Sequence, residues 1–193
     1  MEATAPPREP VTRHRVGGWR IEIERHDGVP RLVPATELAR VVSKALEAAG
    51  APSPASVGLI LADDRRLAVL NEAHMGKRGP TDVLSFPLLP PEAFHPGAAS
   101  PGFALPPGRI PHLGDIVVSV ERAIDQAESG RGGHTGDVRW SPADELRLLV
   151  IHGTLHVCGR DHADPDEETA MRALERQLLG PETTDEARAS PRR

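Results

Sequence analysis

The stretch His152-Gly153-Thr154-Leu155-His156-Val157-Cys158-Gly159-Arg160-Asp161-His162 holds three of the chain's nine histidines. On a helix, residues four apart share a face, so His152 and His156 reach one ion together. Gly159 lets the chain leave that helix, because glycine takes left-handed dihedrals at no steric cost. His162 then swings back as a third nitrogen ligand. Three imidazoles with an open fourth position make a catalytic zinc site, whereas four protein ligands would mark a structural one. The plain alternative is an amphipathic helix with satisfied core imidazoles, which does not account for the clustering. Nickel, copper and iron also bind nitrogen, so the donor set favours zinc without excluding them.

Helix boundaries are well marked on either side of this stretch. Ser141-Pro142-Ala143-Asp144 sets a capping serine, a proline in the first turn and an acidic third residue in order, opening the histidine-bearing helix. Its buried stripe is expected to include Leu146, Leu149 and Val150. Asp164-Pro165-Asp166-Glu167 repeats the signal for the last helix, with Met171, Leu174 and Leu178 inward. Upstream, Arg20-Ile21-Glu22-Ile23-Glu24 alternates as a half-buried strand does. Leu38, Val41, Val42, Ala45 and Leu46 recur at helical spacing and are stopped by Gly50 and Pro52. Strands are expected at Val57 to Ala62, Val83 to Pro87 and Ile116 to Val120. A short helix capped by Asp63-Asp64 carries Leu67, Val69 and Leu70, and another runs from Val120 to Glu128 and stops at Gly130.

Residues 1–15 read as a disordered leader and residues 181–193 as a polar tail, leaving one domain over residues 16–180. Residues 87–111 hold eight of the chain's twenty prolines and read as a surface insertion outside the core. The expected fold is an α+β single domain, a mixed sheet of roughly four strands with about five helices, its histidine site on the penultimate helix.

Composition narrows the function classes. No apolar run approaches the roughly 20 residues of a membrane span, and the N-terminus lacks the apolar stretch of a secretory signal. The single cysteine, Cys158, excludes an intrachain disulfide, and together these features predict a cytoplasmic protein. The net charge of −5 gives no global attraction to nucleic acid, so RNA contact requires a local basic patch. Arg65-Arg66, Lys77-Arg78, Arg147 and Arg160 are its candidate pieces; each taken alone is an ordinary solvated charge.

Zinc held by three imidazoles lowers the pKa of its water to about 7, which suits hydrolysis of an amide, an ester or a phosphodiester. The histidine spacing also matches metzincin proteases, which need a glutamate as general base directly after the first histidine. Gly153 stands there and has no side chain to move a proton, which removes most of the support for a protease. No other residue stands out as general base.

Three blocks in order carry a resemblance to a known family. His152 to His162 resembles the H-G-x-L-H-x-x-G-x-D-H signature of the bacterial YbeY family, with Gly153, Leu155 and Asp161 matching alongside the histidines. Leu70-Asn71 followed by Pro80-Thr81-Asp82-Val83-Leu84-Ser85-Phe86-Pro87 is the second block, and Leu113-Gly114-Asp115-Ile116-Val117-Val118-Ser119 the third. The likeness spans roughly residues 20–179. It implies a small α+β domain with a four-stranded sheet and one zinc ion on His152, His156 and His162. It also implies a single-strand-specific endoribonuclease that matures the 3′ end of small-subunit ribosomal RNA and serves ribosome quality control. The implied partners are ribosomal RNA and the small subunit with its proteins.

Two departures stand out. The family usually carries an arginine after Leu-Asn-x-x-Tyr, and an ungapped reading puts Met75 there, with His74 at the aromatic position. A positive group aimed at developing charge supplies on the order of 3 kcal/mol of transition-state stabilisation, and methionine supplies none. Either Lys77 or Arg78 restores that charge from the same loop, or both are surface residues and the site is altered. In the second case the protein is a metal-stabilised ribosome-assembly factor that binds without cutting. The other departure is the proline-rich segment between the second and third blocks. Asp161 either orients a ligand imidazole or caps the turn. Cys158 points away from the face of His156 and is expected to pack. Thr81 and Asp82 are expected to shape a turn, and Asp115 either shapes structure or does chemistry.

Overall fold

The computed structural model describes residues 10–94, 108–129, 141–160 and 164–180. Strands β1 (Thr12–Val16), β2 (Trp19–Arg25), β3 (Ala55–Ala62), β4 (Val83–Pro87) and β5 (His112–Ser119) form one mixed sheet in the order β1-β2-β3-β5-β4. Strands β2, β3 and β5 run parallel, and β1 and β4 pair antiparallel at the two edges. The helices are α1 (Ala35–Ala49), α2 (Asp64–Met75), α3 (Val120–Glu128), α4 (Pro142–Val157) and α5 (Pro165–Leu179). This is the expected α+β single domain. No helix among the described residues is long and apolar enough to cross a membrane.

The alternation of side chains along each strand decides which face meets which helix. Ile21, Ile23, Val57, Leu59, Ile116 and Val118 face the main core with α1, α3 and α4. Leu84 and Val117 face the other way and pack against Leu67 of α2, with Leu70 and Phe86 beside them. Four of the five described helices, α2 to α5, start at a residue whose side chain caps them. Asp63 accepts from the Arg66 amide at 2.8 Å, Ser141 and Asp144 form a reciprocal capping box, and Asp164 accepts from the amides of Asp166 and Glu167. Gly50, with φ at 74°, closes α1 in the left-handed conformation that glycine enters freely.

Two expectations change. The span expected to be a leader contains β1 from Thr12 onward, giving the sheet one strand more than expected. β1 is mostly exposed, so burial leaves no alternation to read. Its place is set by backbone pairing, from Thr12 opposite Ile23 to Val16 opposite Trp19, and by an Arg13–Glu22 ion pair at 3.1 Å. The two-residue turn Gly17-Gly18 that makes this hairpin was the available sequence signal. The proline-rich segment, expected to lie outside the core, enters the core at its start. Leu89 and Phe94 are buried in the main cluster, Phe94 at the end of a short 3-10 turn, Pro91–Phe94. Residues 1–9, 95–107, 130–140, 161–163 and 181–193 lie outside the described residues. They include most of the expected leader, the middle of the proline-rich segment and the expected tail.

Helix α4 is the centre of the packing. Leu146, Leu149 and Val150 are buried as expected, and Leu148, Ile151, Thr154, Leu155 and Val157 are buried with them. It touches the sheet at Gly153. A β-carbon there would lie 2.6 Å from Ile116 Cγ2 and 2.8 Å from Val83 Cγ2, while Ser85 Oγ donates to the Gly153 carbonyl at 2.9 Å. Near the start of the same helix, Glu145 is only 3% exposed, and its Oε2 finds no hydrogen-bond partner among the described residues. Burial, and secondarily the negative charge of Asp82, push its carboxyl up to about 7.

Two predictions follow from α4. Gly153→Ala is expected to destabilise the protein by ~1–3 kcal/mol through overpacking against Ile116 and Val83; urea unfolding of both proteins checks it, and equal midpoints would contradict the close approach. For Glu145, the folded-state pKa lies above the ordinary 4.5. Between those values the folded chain holds a proton the unfolded chain has lost, so stability falls as pH rises through that window. Glu145→Gln removes this loss, on the order of 3 kcal/mol, so unfolding free energies at pH 5 and pH 8 should differ less in the variant than in the natural protein.

Candidate metal centre

The expected ligands His152 and His156 come from adjacent turns of α4, flanking Gly153. The tight seat of that glycine on β4 and β5 fixes how far the helix stands from the sheet. Both side chains are half-buried. Their Nε2 atoms converge to 3.1 Å, with the rings edge to face at 79° and centroids 4.5 Å apart. Two nitrogens bound to one tetrahedral zinc at about 2.0–2.1 Å lie about 3.3 Å apart. The pair therefore fits the span of two ligands to one ion with little adjustment. Among the described residues no set of three His, Cys, Asp or Glu side chains converges. The third expected ligand, His162, and its neighbour Asp161 lie outside those residues.

One residue that the sequence reading missed completes the described geometry. Glu175 of α5 is 4% exposed, and its Oε1 sits 2.7 Å from His152 Nδ1. The signal for it was present. Met171, Leu174, Glu175 and Leu178 follow helical spacing, so a carboxylate occupies a position in the inward stripe of α5, where charge is rare unless paired.

Lys77 and Arg78 occupy the loop between α2 and β4 and are exposed. Arg78 lies 3.9 Å from Glu72, and among the described residues no hydrogen bond or ion pair links either cation to the histidines. The loop is not loose where it leaves α2. Asn71 is buried; its side-chain amide donates to the Gly79 carbonyl at 2.9 Å, and its own carbonyl accepts from Lys77. His74 packs edge to face on Phe86 at 5.0 Å. Met75 is 56% exposed.

The remaining candidates sort by their contacts. Arg147 is not available to a basic patch, because it pairs with Glu37 and Asp144, each at 2.7 Å. Asp82 accepts from the Val83 amide, from Thr81 and from Gln126, which makes Thr81-Asp82 a turn-shaping pair. Asp115 lies against His112 at 3.1 Å, and this hydrogen bond raises the His112 pKa. Gly58 leaves the space that Asp115 fills. Cys158 is 2% exposed, and burial pushes its thiol up to about 12, as suits a packing residue. A cavity of about 560 Å³ lined by Phe94, Leu155, Cys158, Arg160 and Met171 contains neither histidine.

The family described as Endoribonuclease YbeY matches residues 22–181. The protein named Endoribonuclease YbeY from Thermobifida fusca is 39% identical over 159 residues, covering 82% of this chain and 91% of that protein. Its namesake from Salinispora tropica is 40% identical over 160 residues, covering 82% and 93%. The one from Mycolicibacterium smegmatis is 39% identical over 171 residues, covering 88% and 86%. The matched region runs from within β2 to beyond the end of α5 and takes in both converging histidines and the carboxylate behind them. On that extent of agreement, this chain belongs to the Endoribonuclease YbeY family.

Proposed function

We propose that this protein is a zinc-dependent, single-strand-specific endoribonuclease of the cytoplasm, acting on the 3′ end of small-subunit ribosomal RNA and in ribosome quality control. The observation that carries the reading is the 3.1 Å approach of His152 Nε2 to His156 Nε2, in a family whose named members are endoribonucleases. His152, His156 and His162 would together hold one ion. When bound, it would supply a water acidic enough for phosphodiester hydrolysis at neutral pH. Asp161, next to His162 in sequence, would orient a ligand imidazole or cap the turn. Lys77 and Arg78 lend positive charge to the RNA backbone from the loop that Asn71 braces. With a net charge of −5, capture of RNA depends on such local cations and on the small subunit and its proteins presenting the substrate.

A second reading has its own observation. Met75 stands exposed where the resemblance implies an arginine, which favours a metal-stabilised assembly factor that binds ribosomal RNA or a small-subunit protein without cutting it.

Cleavage of a ribosomal RNA precursor by zinc-loaded protein, beside His156→Ala, tests the first reading. We expect cutting by the natural protein and a loss of at least ~100-fold in the variant, the scale of a deleted catalytic group. Equal cutting by both would point to a contaminant and sink the assignment. Met75→Arg is expected to raise the cleavage rate by roughly tenfold or more with RNA binding unchanged. If it converts an inactive protein into a nuclease, the natural chain is a binder.

A further inference from the structure

We propose that Glu175 is a positioning residue that fixes the tautomer and aim of His152. This rests on the reading of His152 and His156 as metal ligands and extends it to a residue outside the histidine motif. Glu175 is almost fully buried on α5, where an unpaired carboxylate is expensive. Its Oε1 meets His152 Nδ1 at 2.7 Å, a short, charge-assisted contact. A carboxylate only accepts hydrogen bonds, so Nδ1 must carry the proton. A neutral imidazole has one N–H, and placing it on Nδ1 leaves a bare lone pair on Nε2. That lone pair faces His156 Nε2 at 3.1 Å, where the shared ion would sit. Without the carboxylate, imidazole is free to put its proton on Nε2 and block the ligand position.

The contact also ties two helices that flank the rest of the site. α4 carries His152 and His156, residues 161–163 follow, and α5 then returns Glu175 to the back of His152. A carboxylate on the inward face of α5 thus sets a ligand more than a full helix away in sequence.

The test has two readouts besides activity. In metal-free protein at pH 8, long-range proton–nitrogen correlation spectra report which ring nitrogen of His152 is protonated. We expect Nδ1–H in the natural protein and a shift toward Nε2–H in Glu175→Ala. Zinc affinity by chelator competition should fall about 10- to 100-fold in the same variant. Glu175→Gln keeps the shape and one carbonyl acceptor, so it should fold and lose less affinity than Glu175→Ala; it stands in if the alanine variant unfolds. Unchanged tautomer and unchanged zinc affinity in the variants, with only thermal stability lowered, would make Glu175 a mere anchor for α5 and overturn the proposal. A natural protein that holds Nδ1–H on His152 yet binds no zinc would uphold the contact and overturn the metal reading instead.

Discussion

Helix α4 lies so close to the sheet that residue 153 has no room for a β-carbon. The distances to Ile116 and Val83 leave glycine as the residue that fits without moving the helix or those side chains. Several consequences flow from this contact. The helix is buried on nearly every side, so its flanking neighbours α1, α3 and α5 are arranged around it. The histidines on either side of Gly153 inherit a fixed height above the sheet. The same contact explains why the first histidine is not followed by a glutamate: a protease-type base at 153 has nowhere to go. The packing constraint and the chemical one therefore fall on a single residue.

Strand β4 relates the two halves of the proposed site. Val83 and Ser85 point toward α4 and touch Gly153. Leu84 and Phe86 point to the other face, where they meet Leu67 and Leu70 of α2 and, through His74, the start of the loop bearing Lys77 and Arg78. Alternation along five residues thus sets the histidine helix on one face of the sheet and α2, from which the cationic loop leaves, on the other.

Local chemistry was legible in the sequence, and long-range complementarity was not. Helix starts at Ser141, Asp63 and Asp164 announced themselves because a cap and its partner sit within three residues of each other. The histidine pair was legible for the same reason, being one helical turn apart. β1 was missed because an exposed edge strand is held by backbone pairing, which leaves no side-chain pattern. Leu89 and Phe94 were hidden in a proline-rich setting that suggested surface chain. Glu145 and Glu175 were hidden because what makes each unusual, burial beside Asp82 in one case and beside His152 in the other, depends on elements distant in sequence. The pairing of Arg147 was hidden likewise: its partner Glu37 lies on a different helix.

Cys158 bears on how the centre meets an oxidising environment. It is the chain's only thiol, sits two residues past His156, and is sealed so well that its thiolate is negligible at neutral pH. Peroxide attacks thiolates and spares buried thiols. A zinc site built on cysteines loses its metal when those cysteines oxidise; here the two proposed donors that the structure describes, His152 and His156, are imidazoles. The proposed centre would thereby keep its ligands through oxidative stress, while the chain's only thiol serves as packing.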